Sequence, residues 1–130
     1  MRLGHLGLAV RDQQRSRRFY ETYFGFDAGP AQVYEDGVLF LRDGHGFDLA
    51  LAHSRTVPPM PDFFHFGFRV GAPDAVRLLR ARLATGGVEI LEHSAEPAYE
   101  SFKCRDPDGY VVEVYWEPGS PGSAAPRTYE

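Results

Sequence analysis

Two histidines hold the same place in two similar stretches, His5 in GHLGLAV and His65 in FHFGFRV, about sixty positions apart. In both, a glycine stands two residues on, at Gly7 and Gly67, and a valine closes the run, at Val10 and Val70. Two carboxylates sit in comparably apolar company, Glu113 in YVVEVYW and Asp48 in FDLALAH. Imidazole and carboxylate are the nitrogen and oxygen donors that first-row divalent ions accept. The small residues Gly7, Ala9, Gly67 and Ala50 would leave room above them for an ion and a ligand. Taken singly, a strand histidine reads as a hydrogen-bonded structural residue. Repetition at matching positions makes His5, His65 and Glu113 a candidate metal set, with Asp48 as a fourth donor.

Alternation of side chains identifies the elements that would carry these residues. Over residues 3–10, Leu6, Leu8 and Val10 share one face and His5, Gly7 and Ala9 the other, the pattern of a half-buried strand. RDQQRSRRFYETYFGF then reads as a helix capped by Asp12, with Phe19, Tyr20, Tyr23 and Phe24 on its apolar side and Gly25 as its stop. Strands are expected around 32–34, 38–42 and 47–52, set apart by EDG and DGHG turns. The order then repeats. Phe64, Phe66, Phe68 and Val70 oppose His65, Gly67 and Arg69; GAPDAVRLLRARLATGG gives a helix with Pro73 in its first turn and Gly86 at its end. Strands follow at 88–92, 99–105 and 110–116, the last hairpin turned by DPDG.

Each half is thus β-α-β-β-β, an α+β arrangement written twice. The helix of each module would cover one sheet face, and the histidine-bearing face would line a partly polar cleft. On the last strand Val111, Glu113 and Tyr115 point together; in the first module Asp48, Ala50 and Ala52 do the same. Tyr99, Ser101 and Lys103 alternate onto one face beside them as candidate substrate contacts, and Arg69 shares a face with His65, where it would meet an anion or form a rim salt bridge. His45, His53 and His93 fall in turns or loops and are expected to be exposed.

The 130 residues fit one domain, 1–118, of two modules at about 1–56 and 62–118, with a flexible tail at 119–130 rich in Pro, Gly, Ser and Ala. A net charge of −4 leaves no footprint for nucleic acid. Cys104 is the sole cysteine, which excludes an intrachain disulfide and a multi-cysteine zinc site and fits a reducing cytoplasm. The apolar run at the N-terminus is too short and too soon charged for a signal peptide, and no stretch approaches the ~18–20 apolar residues of a membrane span.

The paired GHLGLAV and FHFGFRV, the FYETYFGF helix end and the closing DPDGYVVEVYWEP resemble the vicinal oxygen chelate superfamily, which holds glyoxalase I, fosfomycin resistance enzymes, extradiol dioxygenases and bleomycin resistance proteins. The resemblance runs from about residue 2 to 118. It implies metal ligands on the first and last strands of each module, at His5, Asp48, His65 and Glu113, with Glu113 as the proton-moving base and Asp48 second. If Gly46 is aligned with Gly109, Ala50 rather than Asp48 falls opposite Glu113.

The implied activity is that of a glyoxalase-like lyase or isomerase, or a dioxygenase-like enzyme. It would use iron, manganese, nickel, cobalt or zinc on a small metabolite that chelates the ion through two oxygens. The alternative is a bleomycin-resistance-like protein that sequesters a drug or metabolite without chemistry. SFKCRDPDG resembles the serine-bearing strand of the fosfomycin enzymes, whereas their basic residues after the last strand have no counterpart in YWEPGSPGS. Relatives of this length dimerise, so a homodimer is expected.

Overall fold

The computed structural model describes residues 1–27, 29 and 32–119. Ten elements follow in order: β1 (His5–Val10), α1 (Gln13–Tyr23), β2 (Gln32–Val33), β3 (Leu39–Arg42), β4 (Asp48–His53), β5 (His65–Arg69), α2 (Pro73–Thr85), β6 (Ile90–Glu96), β7 (Tyr99–Arg105) and β8 (Val111–Trp116). They form two four-stranded mixed sheets in the βαβββ pattern expected, ordered β1-β4-β3-β2 and β5-β8-β7-β6. In each, the first strand of the module lies parallel to its last, and the remaining pairs are antiparallel. The chain divides into two compact units, Met1–Pro59 and Met60–Glu130.

In the first unit, Leu8, Val10, Leu39, Leu41, Leu49 and Leu51 form the buried face of the sheet. Burying it needs an apolar cover, which α1 supplies with Phe19 and Tyr20, packed against β4. Phe19 meets Tyr20 edge-on at 5.0 Å, and Tyr20 meets Phe26 at 6.1 Å, so helix and loop close one aromatic cluster. Gln13 fixes the helix start to the sheet, its side-chain amide donating to the carbonyls of Leu51 at 2.8 Å and Gly37 at 2.9 Å. The helix ends where expected, at Gly25, whose φ of 75° is one that L side chains rarely adopt.

Asp12 caps α1, accepting from the backbone N–H of Gln14 and of Arg15. The bond from Arg15 above all, with that from Gln14 and the nearby guanidinium charges, holds its carboxyl below the usual value of 3.8. A lowered folded-state value means that the cap's charge stabilises above about pH 4 and ceases to as the pH falls through the folded value. Asp12→Asn keeps the acceptor and drops the charge. Its thermal midpoint is therefore expected to lie below wild type at pH 7 and to approach it as the pH falls below about 4; a gap independent of pH would show that the charge contributes nothing.

In the second unit α2 packs on β7, β8 and β6. Val76 and Leu83 of the helix and Phe102, Cys104, Val112 and Val114 of the sheet are buried. Cys104 is the small core residue expected, and burial pushes its thiol up to about 12. Arg77 of α2 reaches down to Glu100 of β7 with two donors, at 2.8 and 2.9 Å, which partners a carboxylate buried on the helix side. The DPDG turn is held by Asp106, whose side chain accepts from the backbone N–H of Asp108 and Tyr110, and by Gly109 at φ 93°.

Four expectations change. β1 begins at His5, because Leu3 is exposed and unpaired in the ladder. β2 has two residues, since only Gln32 and Val33 find partners on β3. β6 runs on to Glu96, pairing with β7 as far as Tyr99. His93 therefore lies in a strand and not a loop, and His53 ends β4; both remain exposed. The expected tail from 120 onward lies outside the described residues.

Candidate functional site

Sheet registry places the candidate residues on the faces that the helices leave uncovered. In the first unit His5 pairs with Asp48, Gly7 with Ala50 and Ala9 with Ala52, so these side chains share a face. Antiparallel pairing adds Arg42 beside Asp48 and Phe40 beside Ala50. Arg42 donates to Asp48 Oδ2 at 3.1 Å and to Gln32 Oε1 at 2.6 Å, which ties the carboxylate into a polar row across β4, β3 and β2. His5 lies 6.1 Å from the Phe40 ring, and Tyr34 meets Phe40 edge-on at 4.9 Å.

The same registry separates Asp48 from Glu113. In the second unit His65 pairs with Val111 and Gly67 with Glu113. The position opposite the glycine is thus Glu113 in one module and Ala50 in the other, while Asp48 corresponds to Val111. Asp48 instead stands beside the histidine of its own module and binds Arg42.

Glu113 is half-buried at the middle of β8, with Lys103 of β7 on one side and Gly67 on the other. A Cβ at Gly67 would come within 3.2 Å of the Tyr115 ring and 3.6 Å of Glu113 Oε1, so the absent side chain leaves open the space into which this oxygen faces. The other oxygen, Oε2, accepts from the Tyr99 hydroxyl at 3.1 Å. Burial above all, with the charge of Glu113 adding to it, raises the Tyr99 phenol above its ordinary value of 10. Tyr99 thus stays protonated as a donor. Its ring stacks on Tyr115 at 6.2 Å and 26°.

His65 opens β5 with its Nδ1 at 2.7 Å from the Phe63 carbonyl oxygen. Lys103 extends over the Phe63 ring, its Nζ 5.2 Å from the centroid and 3.6 Å from Glu92 Oε2. Ser101, buried, shares the face with Tyr99. Arg69 sits at the far end of β5, near Glu117 Oε1 at 3.5 Å and donating to the Pro118 carbonyl at 3.3 Å, the rim pairing foreseen as its alternative.

The structure therefore gathers His5 with Asp48 in one unit, and in the other gathers Glu113 with Tyr99 and Lys103, with Ser101 and His65 on the same sheet face. Among the described residues, no three His, Cys, Asp or Glu side chains form a ready-made metal group. Arg42 and Phe40 were missed in the sequence although LFLR alternates, with Leu39 and Leu41 buried and Phe40 and Arg42 opposite. Phe63 carried no readable signal.

A family model described as Glyoxalase/Bleomycin resistance protein/Dioxygenase superfamily matches residues 2–114. The chain belongs to this superfamily. Among its relatives in the superfamily is the trivalent organoarsenical cleaving enzyme of Bacillus sp. (strain MD1), 30% identical over 121 residues, covering 89% of this chain and 73% of that protein. The structure of a possible glyoxalase from Bacillus cereus is 30% identical, with a TM-score of 0.73 over 88% of this chain and 97% of that one. The fosfomycin resistance protein of Listeria monocytogenes, at 16% identity, shares the superfamily fold with a TM-score of 0.76 over 92% and 95%. No helix among the described residues is long and apolar enough to cross a membrane.

Proposed function

We propose that the protein is a divalent-metal-dependent enzyme acting on a small molecule that chelates the ion through two oxygens, by glyoxalase-like lyase or isomerase chemistry or by dioxygenase-like chemistry. The observation that carries this reading is Glu113: a carboxylate at the middle of a strand, with one oxygen held by Tyr99 and the other turned toward the space beside Gly67. A carboxylate kept for structure alone would be paired as Glu100 is with Arg77.

The donor chemistry suits such an ion: His65 and Glu113 of the second unit are proposed to hold it, with His5 of the first a further candidate, imidazole and carboxylate being donors that accept iron, manganese, nickel, cobalt or zinc. When bound, the ion would supply Lewis-acid polarisation of the substrate oxygens. Tyr99 keeps Glu113 oriented by donating to Oε2, which leaves Oε1 as the atom to take a proton from substrate carbon or hydroxyl. Lys103, with Ser101 and Tyr99 on the same strand face, supplies the positive charge and hydroxyls to orient an oxygen-rich substrate. Asp48, paired with Arg42, is assigned to holding that side chain rather than to the ion. Arg69 has its place at the rim.

The substrate named for the Bacillus sp. relative does not transfer readily. Trivalent arsenic is a soft centre that thiolates bind, and the one thiol here, Cys104, is buried on the helix side and pushed up to about 12. The sequestration reading draws on the exposed aromatics Phe63 and Tyr34. β1 and β2 are the outer strands of one sheet order and β5 and β6 of the other, and a second copy of the chain meeting such strands would make the homodimer expected.

The deciding experiment is elemental analysis of the protein after anaerobic incubation with mixed divalent ions and desalting, followed by a turnover screen with chelating dicarbonyl and diol substrates. About one ion per chain and turnover of at least one class are expected. Ligand binding with neither ion nor turnover would replace the enzyme with a sequestering protein.

A further inference from the structure

The turn that delivers the chain into β5 is built against the usual preference of its residues. Phe64 N–H donates to the Pro61 carbonyl at 3.1 Å, which makes residues 61–64 a β-turn with Phe63 in third place. Phe63 has φ 69°, the only positive value at a non-glycine among the described residues. A turn with that dihedral in third place is ordinarily given to glycine. The ring gains little burial in return, at 84% exposed. Backbone preference and core packing both argue against phenylalanine here, and strain of this kind points to a site.

What the residue touches supplies the reason. Its carbonyl oxygen is 2.7 Å from His65 Nδ1, and its ring meets the imidazole edge-on at 4.9 Å and 84°. A carbonyl can only accept, so Nδ1 is the donor in this contact, which in a neutral ring leaves the lone pair on Nε2. Free neutral histidine prefers the opposite tautomer, with its proton on Nε2. From this geometry we infer that Phe63 is a positioning residue, whose left-handed backbone selects the Nδ1–H tautomer of His65 and whose ring fixes the imidazole plane, so that Nε2 is presented as a donor. The inference rests on the reading of His65 as a ligand of the ion. Orientation of a ligating histidine through its second nitrogen is the established use of such a bond.

The test reads the tautomer directly, in the metal-free full-length chain, by long-range 15N–1H correlation at about pH 8, above the ordinary value of free histidine. His65 is assigned by its absence from His65→Ala. Wild type is expected to show a protonated Nδ1 and a bare Nε2; a protonated Nε2 overturns the inference. Phe63→Gly tolerates the positive φ and is expected to retain the wild-type tautomer. Phe63→Pro, with φ fixed near −65°, is expected to return His65 to the Nε2–H form and to weaken Mn2+ binding by about tenfold or more. A folded Phe63→Pro variant with the wild-type tautomer overturns the inference, and if that variant does not fold, the wild-type and Phe63→Gly spectra decide. An Nδ1–H His65 in a wild type that binds no Mn2+ counts against the metal reading and supports the positioning role. An Nε2–H His65 in a protein that binds Mn2+ does the reverse.

Discussion

Replacing His65 with alanine is expected to abolish retention of a divalent ion through desalting while leaving the fold intact. The loss follows if His65 is one of the donors proposed for the ion, since removing a ligand should weaken it by more than the roughly 10–100-fold that a supporting residue costs. Stability is a separate matter, because the imidazole lies on the face away from α2 and its hydrogen bond is to a turn carbonyl. The thermal midpoint should therefore move by no more than a few degrees, as for other surface replacements. Elemental analysis beside a thermal melt checks both halves. Retained metal would return His65 to a structural role, and a melt lowered by more than about 10 °C would mean that its environment is part of the core.

Phe102→Ala should do the opposite. Phe102 lies in the middle of β7, 0% exposed, paired with Val114 on the face that α2 covers. Deleting a ring from such a site loses its transfer free energy and leaves a cavity, a cost of about 3–5 kcal/mol. Urea titration should show that loss, and the midpoint on heating should fall by more than about 10 °C. Any soluble remainder should still bind the ion. A loss below about 1 kcal/mol would show that the helix side of this sheet is not the core.

The two variants also mark how far the sequence could be read. Period-two alternation set His65 opposite Phe66 and Phe68, and Tyr99, Ser101 and Lys103 together on one face of their strand, and the sheet registry agrees, because a strand that buries one face cannot slip by one residue without exposing its core. The repeat of His-x-Gly revealed the two modules, and Asp12, Gly25 and Gly109 marked ends and turns through their own chemistry. Strand ends were less legible: β6 outran its expected length because its last residues are held by pairing with β7, which no local preference of Ser94 or Glu96 encodes.

Side-chain partners across strands were beyond reach for the same reason. Arg42 could be placed on a face, but its bond to Asp48 depends on the registry of β3 with β4. The registries of β1 with β4 and of β5 with β8 likewise decide between Asp48 and Ala50 as the counterpart of Glu113, a question the sequence posed without an answer. Phe63 was the hardest to foresee. Nothing in PDFF announces a left-handed backbone, because phenylalanine normally avoids it.

Each sheet draws all four of its strands from one half of the chain. This bears on synthesis. The first sheet has its last strand once His53 is made, with the second helix and the strands after it still unmade. At roughly 5–20 residues per second the ribosome takes seconds to complete the remainder, whereas domains rich in such contacts close in milliseconds to seconds. The nascent chain can thus settle its first half before the similar second half emerges, so that two look-alike sets of strands never compete for partners.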